Sequence, residues 1–203
     1  MEKIRPRVTS GKLKGKKFNV MESGKVRPLQ DVAKQSIFSI LGEKVIGSLC
    51  LDLFAGIGSF GIEALSRGAI FCDFVDSDYE SIGTINENLL NMKLNDKSAV
   101  FHEESVKFIN RTKKKYDIVF ADPYYEDISQ RFLFKNVSEI LKKDGVFIYS
   151  HGRKADISKL ILGTNLVVVT ERRFGSAFFT ILGTVLGFVV PIFQNDTTTT
   201  HYR

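Results

Sequence analysis

Cysteine and histidine are scarce in this chain. Its 203 residues include two cysteines, Cys50 and Cys72, and three histidines, His102, His151 and His201. Each cysteine lies in an apolar run and neither has a CxxC neighbour. That spacing speaks against a disulfide framework or a zinc site and predicts two buried thiols. The histidines show no ligand pattern, so no metal is expected. The N-terminus lacks the apolar core of a secretory signal, which points to the cytoplasm. Near the C-terminal end, Ala177 to Phe193 runs 17 residues without charge, at the low edge of a membrane span. Its first third reads as a strand, and Gly183, Gly187 and Pro191 interrupt the rest. A membrane role is therefore not expected.

Acidic residues are nearly missing from the first 27 positions. Nine basic residues (Lys3, Arg5, Arg7, Lys12, Lys14, Lys16, Lys17, Lys25 and Arg27) stand there against Glu2 and Glu22, so the segment carries +7. The other 176 residues sum to −1 in a chain of net +6. Basicity so confined is a patch on a nearly neutral body. It suits phosphate backbones, which bind Lys and Arg with release of counterions. The alternative is a solubilising arm. With 43% hydrophobic and 26% charged residues, the chain can build one domain with a real core and a small appendage. It has no internal repeat.

Residues 4–20 alternate weakly around Gly11-Lys12-Leu13-Lys14-Gly15. This predicts a small β-hairpin or an extended arm with a glycine-bearing turn. Val26-Arg27-Pro28-Leu29-Gln30-Asp31 breaks the chain. Asp31 is a candidate cap for a helix with apolar positions Val32, Ile37, Phe38, Ile40 and Leu41. From Leu49 onward strands and helices alternate. Strands are expected at Leu49–Phe54, Ile70–Val75, Ala99–His102, Tyr116–Ala121, Val146–Ser150, Leu166–Thr170 and Ala177–Leu182. Helices are expected at Phe60–Ser66, Tyr79–Met92, Val106–Arg111, Ile128–Lys142 and Ile157–Leu162. Five βα units and two closing strands imply an α/β fold with a mostly parallel, doubly wound sheet.

Gly56, Gly58 and Gly61 form a G-x-G-x-x-G after the first strand and before a helix. Glycines there let the backbone turn tightly and approach a ligand at a helix N-terminus. Alone the pattern is weak and also fits dinucleotides. Asp76, 18 residues after Gly58, ends the second strand and suits the two hydroxyls of an adenosine ribose, in NAD or in S-adenosylmethionine. Asp52 sits where a dinucleotide site usually has an apolar residue. Its carboxylate suits a cofactor ammonium reached through water; the plainer alternative is a buried acid satisfied by loop amides. Asp78, rather than Asp76, is the better cap for the helix that Tyr79 opens. Glu104, after the third strand, suits an adenine amino group, or is simply a solvated loop acid.

Asp122-Pro123-Tyr124-Tyr125 follows the fourth strand, at the strand end where open α/β sheets place their ligands. A carboxylate and the Pro123 carbonyl can accept hydrogen bonds from an aryl amine and aim its lone pair. Proline stiffens the turn, and Tyr124 or Tyr125 can stack on a flipped-out base. Positioning does most of the work when the methyl donor is a sulfonium. The bland reading is a helix cap with core aromatics.

These residues together resemble the class I S-adenosylmethionine-dependent methyltransferases. Within them the chain is similar to the RsmD family of 16S rRNA guanine-N2 methyltransferases, from about Arg7 to Leu182. Gly11 to Lys17, Arg27 to Asp31, Ile37 to Leu41, Leu51 to Gly56, Glu63 to Ala69 and Arg173-Phe174-Gly175 carry the likeness. Tyr124 replaces a family proline, Leu29 stands where a threonine is usual, and Asp31-Val32-Ala33-Lys34-Gln35 lacks an arginine expected to contact RNA. The tail after Leu182 has no family counterpart.

The resemblance implies a Rossmann-like, seven-stranded sheet with an N-terminal basic hairpin and helix extension. Residues 1–42 would bind RNA, 43–182 would form the methyltransferase domain, and 183–203 an atypical tail. The implied reaction moves a methyl group from S-adenosylmethionine to the exocyclic nitrogen of one guanine in 16S rRNA, in a 30S subunit or an assembly intermediate, by a monomer. The cofactor set is Asp52, Phe54, Ala55, Gly56, Gly58, Asp76, Glu104 and Asp122. The catalytic set is Asp122, Pro123, Tyr124 and Tyr125. The RNA set is Arg7, Lys12, Lys14, Lys16, Lys17 and Arg27. A DNA or other RNA amino-methyltransferase and a non-catalytic RNA-binding homologue are the alternatives.

Overall fold

The computed structural model of the chain describes residues 5–21, 30–123 and 130–185. Seven strands form one sheet in the order β3-β2-β1-β4-β5-β7-β6. They are β1 Leu49–Leu53, β2 Phe71–Asp76, β3 Ser98–His102, β4 Tyr116–Ala121, β5 Leu141–Gly152, β6 Leu166–Phe174 and β7 Ala177–Thr184. The first five run parallel; β7 pairs antiparallel with β5 and with β6. The helices are α1 Gln30–Leu41, α2 Ser59–Ser66, α3 Tyr79–Asn91, α4 Ser105–Arg111, α5 Gln130–Ile140 and α6 Ile157–Leu160.

The central strands are apolar at nearly every position because both faces are covered. Strand alternation sorts their side chains into two cores. Cys50, Ile118, Phe120, Val146 and Ile148 pack with α1, α2 and α3. Leu51, Leu53, Val119, Ala121, Phe147 and Tyr149 pack with α4, α5 and α6 on the other face. Both cysteines are free and buried, in register across β1 and β2. Burial pushes the Cys50 thiol up to about 12 and holds it protonated. No helix among the described residues is long and apolar enough to cross a membrane.

Most expected elements fall within two residues of the observed ones. Two differ more. β5, expected from Val146, already starts at Leu141, which pairs with Tyr116 directly after α5 ends at Ile140. Leu141 continues the apolar helical spacing of Leu133, Phe134 and Val137, so periodicity alone cannot place that boundary. β6 continues past Thr170 through Glu171, Arg172 and Arg173. It is an edge strand, where charged side chains are tolerated and protective. β7 extends two residues beyond Leu182. In α1, Val32 and Ile40 are exposed, while Ala33, Ile37, Phe38 and Leu41 are buried.

The N-terminal segment forms a turn closed by one isolated antiparallel bridge, Arg7 to Lys17, with no named strand among the described residues. Val8 and Phe18 anchor it, both fully buried in the core. Glu63 of α2, also fully buried, ties it down. The Thr9 and Ser10 amides donate to its carboxylate at 2.8 and 3.0 Å, and the Thr9 hydroxyl at 2.7 Å. Arg67 donates to Glu63 at 2.8 Å, and Lys34 of α1 stands 3.8 Å away. Lys34 is itself buried, which lowers its pKa against the pull of Glu63 and Asp31. Asp31 lies in the first turn of α1 and pairs with Lys34.

Candidate active site

The strand order reverses between β1 and β4, since β1 leads on to β2 while β4 leads on to β5. Such a switch point opens a crevice at the C-terminal strand ends, where this fold class binds ligands. Three carboxylates gather there: Asp52 from β1, Asp76 from β2 and Asp122 just after β4.

The loop after β1 is built from left-handed backbone. Phe54 has φ +54°, Gly56 +56° and Gly58 +79°. For phenylalanine this conformation costs roughly 1–2 kcal/mol and turns the chain sharply off the strand. Added Cβ atoms distinguish the glycines. At Gly56 a Cβ meets nothing within 4 Å, so the space beside it is open for a ligand. At Gly61 a Cβ would stand 2.3 Å from the Phe74 ring and 2.7 Å from Cys72 Sγ, so its absence lets α2 lie on the sheet. These are the turn, approach and packing roles that a G-x-G-x-x-G demands.

Asp76 holds this loop. Its Oδ2 accepts the Gly56 amide at 2.8 Å and its Oδ1 the Asp78 amide at 2.9 Å. Burial raises its pKa against these hydrogen bonds. Asp78, as expected, caps α3, accepting the Ser81 amide at 2.8 Å. Asp52 is buried and accepts the Gly61 amide at 2.8 Å. Burial pushes its carboxyl well above the aspartate range, the Gly61 bond opposes this, and the charges of Asp122 and Asp76 push it further. Ala55 donates to the Val75 carbonyl at 3.1 Å, and Gly58 to Ala55 at 2.8 Å.

Glu104 is exposed at the N-cap position of α4, with no side-chain capping bond. Its neighbour Glu103 donates its amide to the Asp76 carbonyl and pairs with Arg111. Asp122 is half-buried and Pro123 buried. Tyr124, Tyr125 and Arg27 lie outside the described residues. Arg7, Lys12, Lys14, Lys16 and Lys17 are all exposed on the arm that Glu63 holds. Sequence reading gave no role to Glu63, nor to Asn88, whose side chain joins Asn19 of the arm to the Ile57 carbonyl of the glycine loop. The one available signal was an acid placed four residues before Arg67 on a short, wholly buried helix.

The sequence pattern of a family described as conserved hypothetical protein 95 matches residues 6–183. A Bacillus subtilis protein named as an rRNA methyltransferase, YlbH, is 32% identical over 174 residues, 83% of this chain and 94% of that one. The Haemophilus influenzae ribosomal RNA small subunit methyltransferase D is 30% identical over 173 residues, 83% of this chain and 89% of its own. In fold, the chain superposes on an Escherichia coli protein described as a methyltransferase, yhhF. The TM-score is 0.80 at 21% identity, over 89% of this chain and 98% of that one. A 16S rRNA N2 G1207 methyltransferase from T. thermophilus, solved with AdoMet and guanosine, gives 0.66 at 19% identity, over 81% of this chain and 45% of its own. The chain belongs to the conserved hypothetical protein 95 family, the RsmD family to which its small-subunit rRNA methyltransferase relatives point.

Proposed function

We propose that this protein transfers a methyl group from S-adenosylmethionine to the exocyclic N2 of a guanine in 16S rRNA. The observation that carries this is the placement of Asp122-Pro123 across the switch point from the glycine loop. An amine-binding corner and a nucleoside-binding loop then face one crevice. The family relatives named as rRNA methyltransferases support it, as does the neighbour of like fold solved with AdoMet and guanosine.

The residues present fit the methyl donor. Asp76 stands at the end of β2 beside Gly56, with open space at that glycine. The α2 N-terminus has no side-chain cap, and the buried Ser59 hydroxyl has no partner among the described residues. Asp52, Phe54, Ala55, Gly56, Gly58, Asp76 and Asp122 would hold S-adenosylmethionine, and Glu104 would reach its adenine. When bound, that cofactor supplies an electrophilic methyl on sulfur. The chain supplies position: the Asp122 carboxylate and the Pro123 carbonyl accept the amino hydrogens and turn the nitrogen lone pair toward the methyl. Tyr124 or Tyr125 would stack on the base. Residues 1–42 form the RNA-gripping extension, with Arg7, Lys12, Lys14, Lys16, Lys17 and Arg27 on phosphates. Residues 43–182 are the methyltransferase domain, which β7 carries on to Thr184, and the rest of 183–203 is a tail beyond it. The setting is a cytoplasmic monomer acting on a 30S subunit or assembly intermediate.

The test offers labelled S-adenosylmethionine to the protein with DNA, naked 16S rRNA and 30S particles. Label in rRNA guanine N2 is the expected result. Label in DNA alone would overturn it, and tight rRNA binding without cofactor affinity would make the protein a binding module.

A further inference from the structure

Among the described residues seven serines are buried, and four of them (Ser48, Ser66, Ser81 and Ser138) have hydroxyls bonded to protein atoms. The hydroxyls of Ser59, Ser105 and Ser150 have no hydrogen-bond partner among the described residues. The three share one end of the molecule. Ser59 opens α2 after β1, Ser105 opens α4 after β3, and Ser150 stands near the end of β5. Burying a hydroxyl unpaired is costly, and alanine would avoid that cost.

Ser150 is the most telling, because it is fully buried within a strand, where no loop or helix start explains it. The last paired residues of β4 and β5 are Ala121 and Tyr149. One step beyond them stand Asp122 and Ser150. Val146 and Ile148 face the core with α2, and alternation carries Ser150 to that same face. Asp52 follows Cys50 on that face of β1, and the charge of Asp122 reaches Asp52. In the core of that face Phe60 stacks on Phe120 at 5.4 Å between centroids and meets Phe179 tilted at 6.0 Å. Phe179 is also the β7 partner of Ser150. These rings offer the hydroxyl no conventional acceptor.

Building on the amine-site reading, we propose that Ser150 is a further positioning residue of that site, its hydroxyl finding its partner only when a guanine is held against Asp122 and Pro123. It confers no stability in the ligand-free protein and orients the bound base next to the amine that reacts.

The test compares wild type with Ser150→Ala and the nearly isosteric Ser150→Cys. Guanosine is titrated calorimetrically into each protein saturated with S-adenosylhomocysteine. Thermal midpoints, S-adenosylhomocysteine affinity and methyl transfer to 30S particles are measured alongside. Expected are guanosine affinity weakened about tenfold in both variants, unchanged S-adenosylhomocysteine affinity, and a ligand-free midpoint equal to or above wild type. Equal guanosine binding by wild type and Ser150→Ala would overturn the proposal. So would no guanosine binding by wild type, or a fall in midpoint that accounts for the loss, which would mark a purely structural hydroxyl. A wild type that binds guanosine but methylates no rRNA defeats the functional reading instead, and the binding comparison still decides the role of Ser150.

Discussion

The Gly56 amide donates to the Asp76 carboxylate at 2.8 Å, so the acid that ends β2 holds the glycine loop that leaves β1. One carboxylate thereby fixes the loop's shape and stays beside the space that Gly56 leaves open. Asp76→Ala should loosen the loop and weaken S-adenosylmethionine binding by tenfold or more, with a stability loss of about 1–2 kcal/mol from the two orphaned amides. Calorimetry and denaturant unfolding measure the two effects. A variant with wild-type cofactor affinity would remove Asp76 from the site.

Asp122→Ala should abolish methyl transfer and weaken cofactor binding only about threefold, since its part in holding the cofactor is one of seven while its bonds to the substrate amine have no substitute. Equal loss of both in calorimetry and transfer assays would sink this division of roles.

Gly56→Ala and Gly61→Ala should fail differently. At Gly61 the new methyl meets Phe74 and Cys72, so overpacking should cost about 1–3 kcal/mol of stability. At Gly56 the methyl meets no protein atom, but φ is +56° and the methyl enters the ligand space. Backbone strain of about 1–2 kcal/mol should there accompany a loss of cofactor affinity out of proportion to it. Unfolding curves with and without S-adenosylmethionine separate the two.

Asp52 makes stability depend on pH. Its folded-state pKa is raised, chiefly by burial. An acid so raised contributes stability below the ordinary aspartate range and loses it as pH rises through the raised value. Asp52→Asn, which can still accept the Gly61 amide, should therefore melt higher than wild type at neutral pH. A gain of about 2–4 °C corresponds to each kcal/mol relieved, and the advantage should shrink toward pH 4. Midpoints measured from pH 4 to 8 check this. A constant difference across that range would mean that Asp52 does not titrate differently on folding.

Glu63→Gln leaves Lys34 buried without its full counter-charge. It should cost about 3–5 kcal/mol and release the arm that carries Lys12 to Lys17. Adding Lys34→Met should recover most of the loss. Unfolding and limited proteolysis of the arm read both. If the arm grips RNA, replacing Lys12, Lys14, Lys16 and Lys17 together by alanine should lower the salt dependence of rRNA binding by about 3 in log–log slope, while Glu63 and the fold stay intact.

What the sequence determined by itself was local and periodic. Apolar runs flanked by glycine and charge marked where each strand lies, most closely for the inner strands, because a strand buried on both faces must be apolar throughout; the polar start of β5 and charged end of β6 fell outside those runs. The spacing of Gly56, Gly58 and Gly61 marked the loop, because glycine takes the left-handed torsions at 56 and 58 without the strain that Phe54 bears, and at 61 leaves room for the sheet. Asp52, Asp76 and Asp122 were visible because each ends a strand or stands near its end. Tertiary structure decided the long-range choices: that β7 inserts antiparallel between β5 and β6, that Leu141 joins a strand rather than a helix, and that the basic arm is pinned by Glu63, 54 residues from Thr9. It also decided that Ser150, one step past the Ala121–Tyr149 pair, is buried with no hydroxyl partner among the described residues. Those outcomes depend on which surfaces meet, and a buried acid or hydroxyl shows its cost only when its neighbours are known.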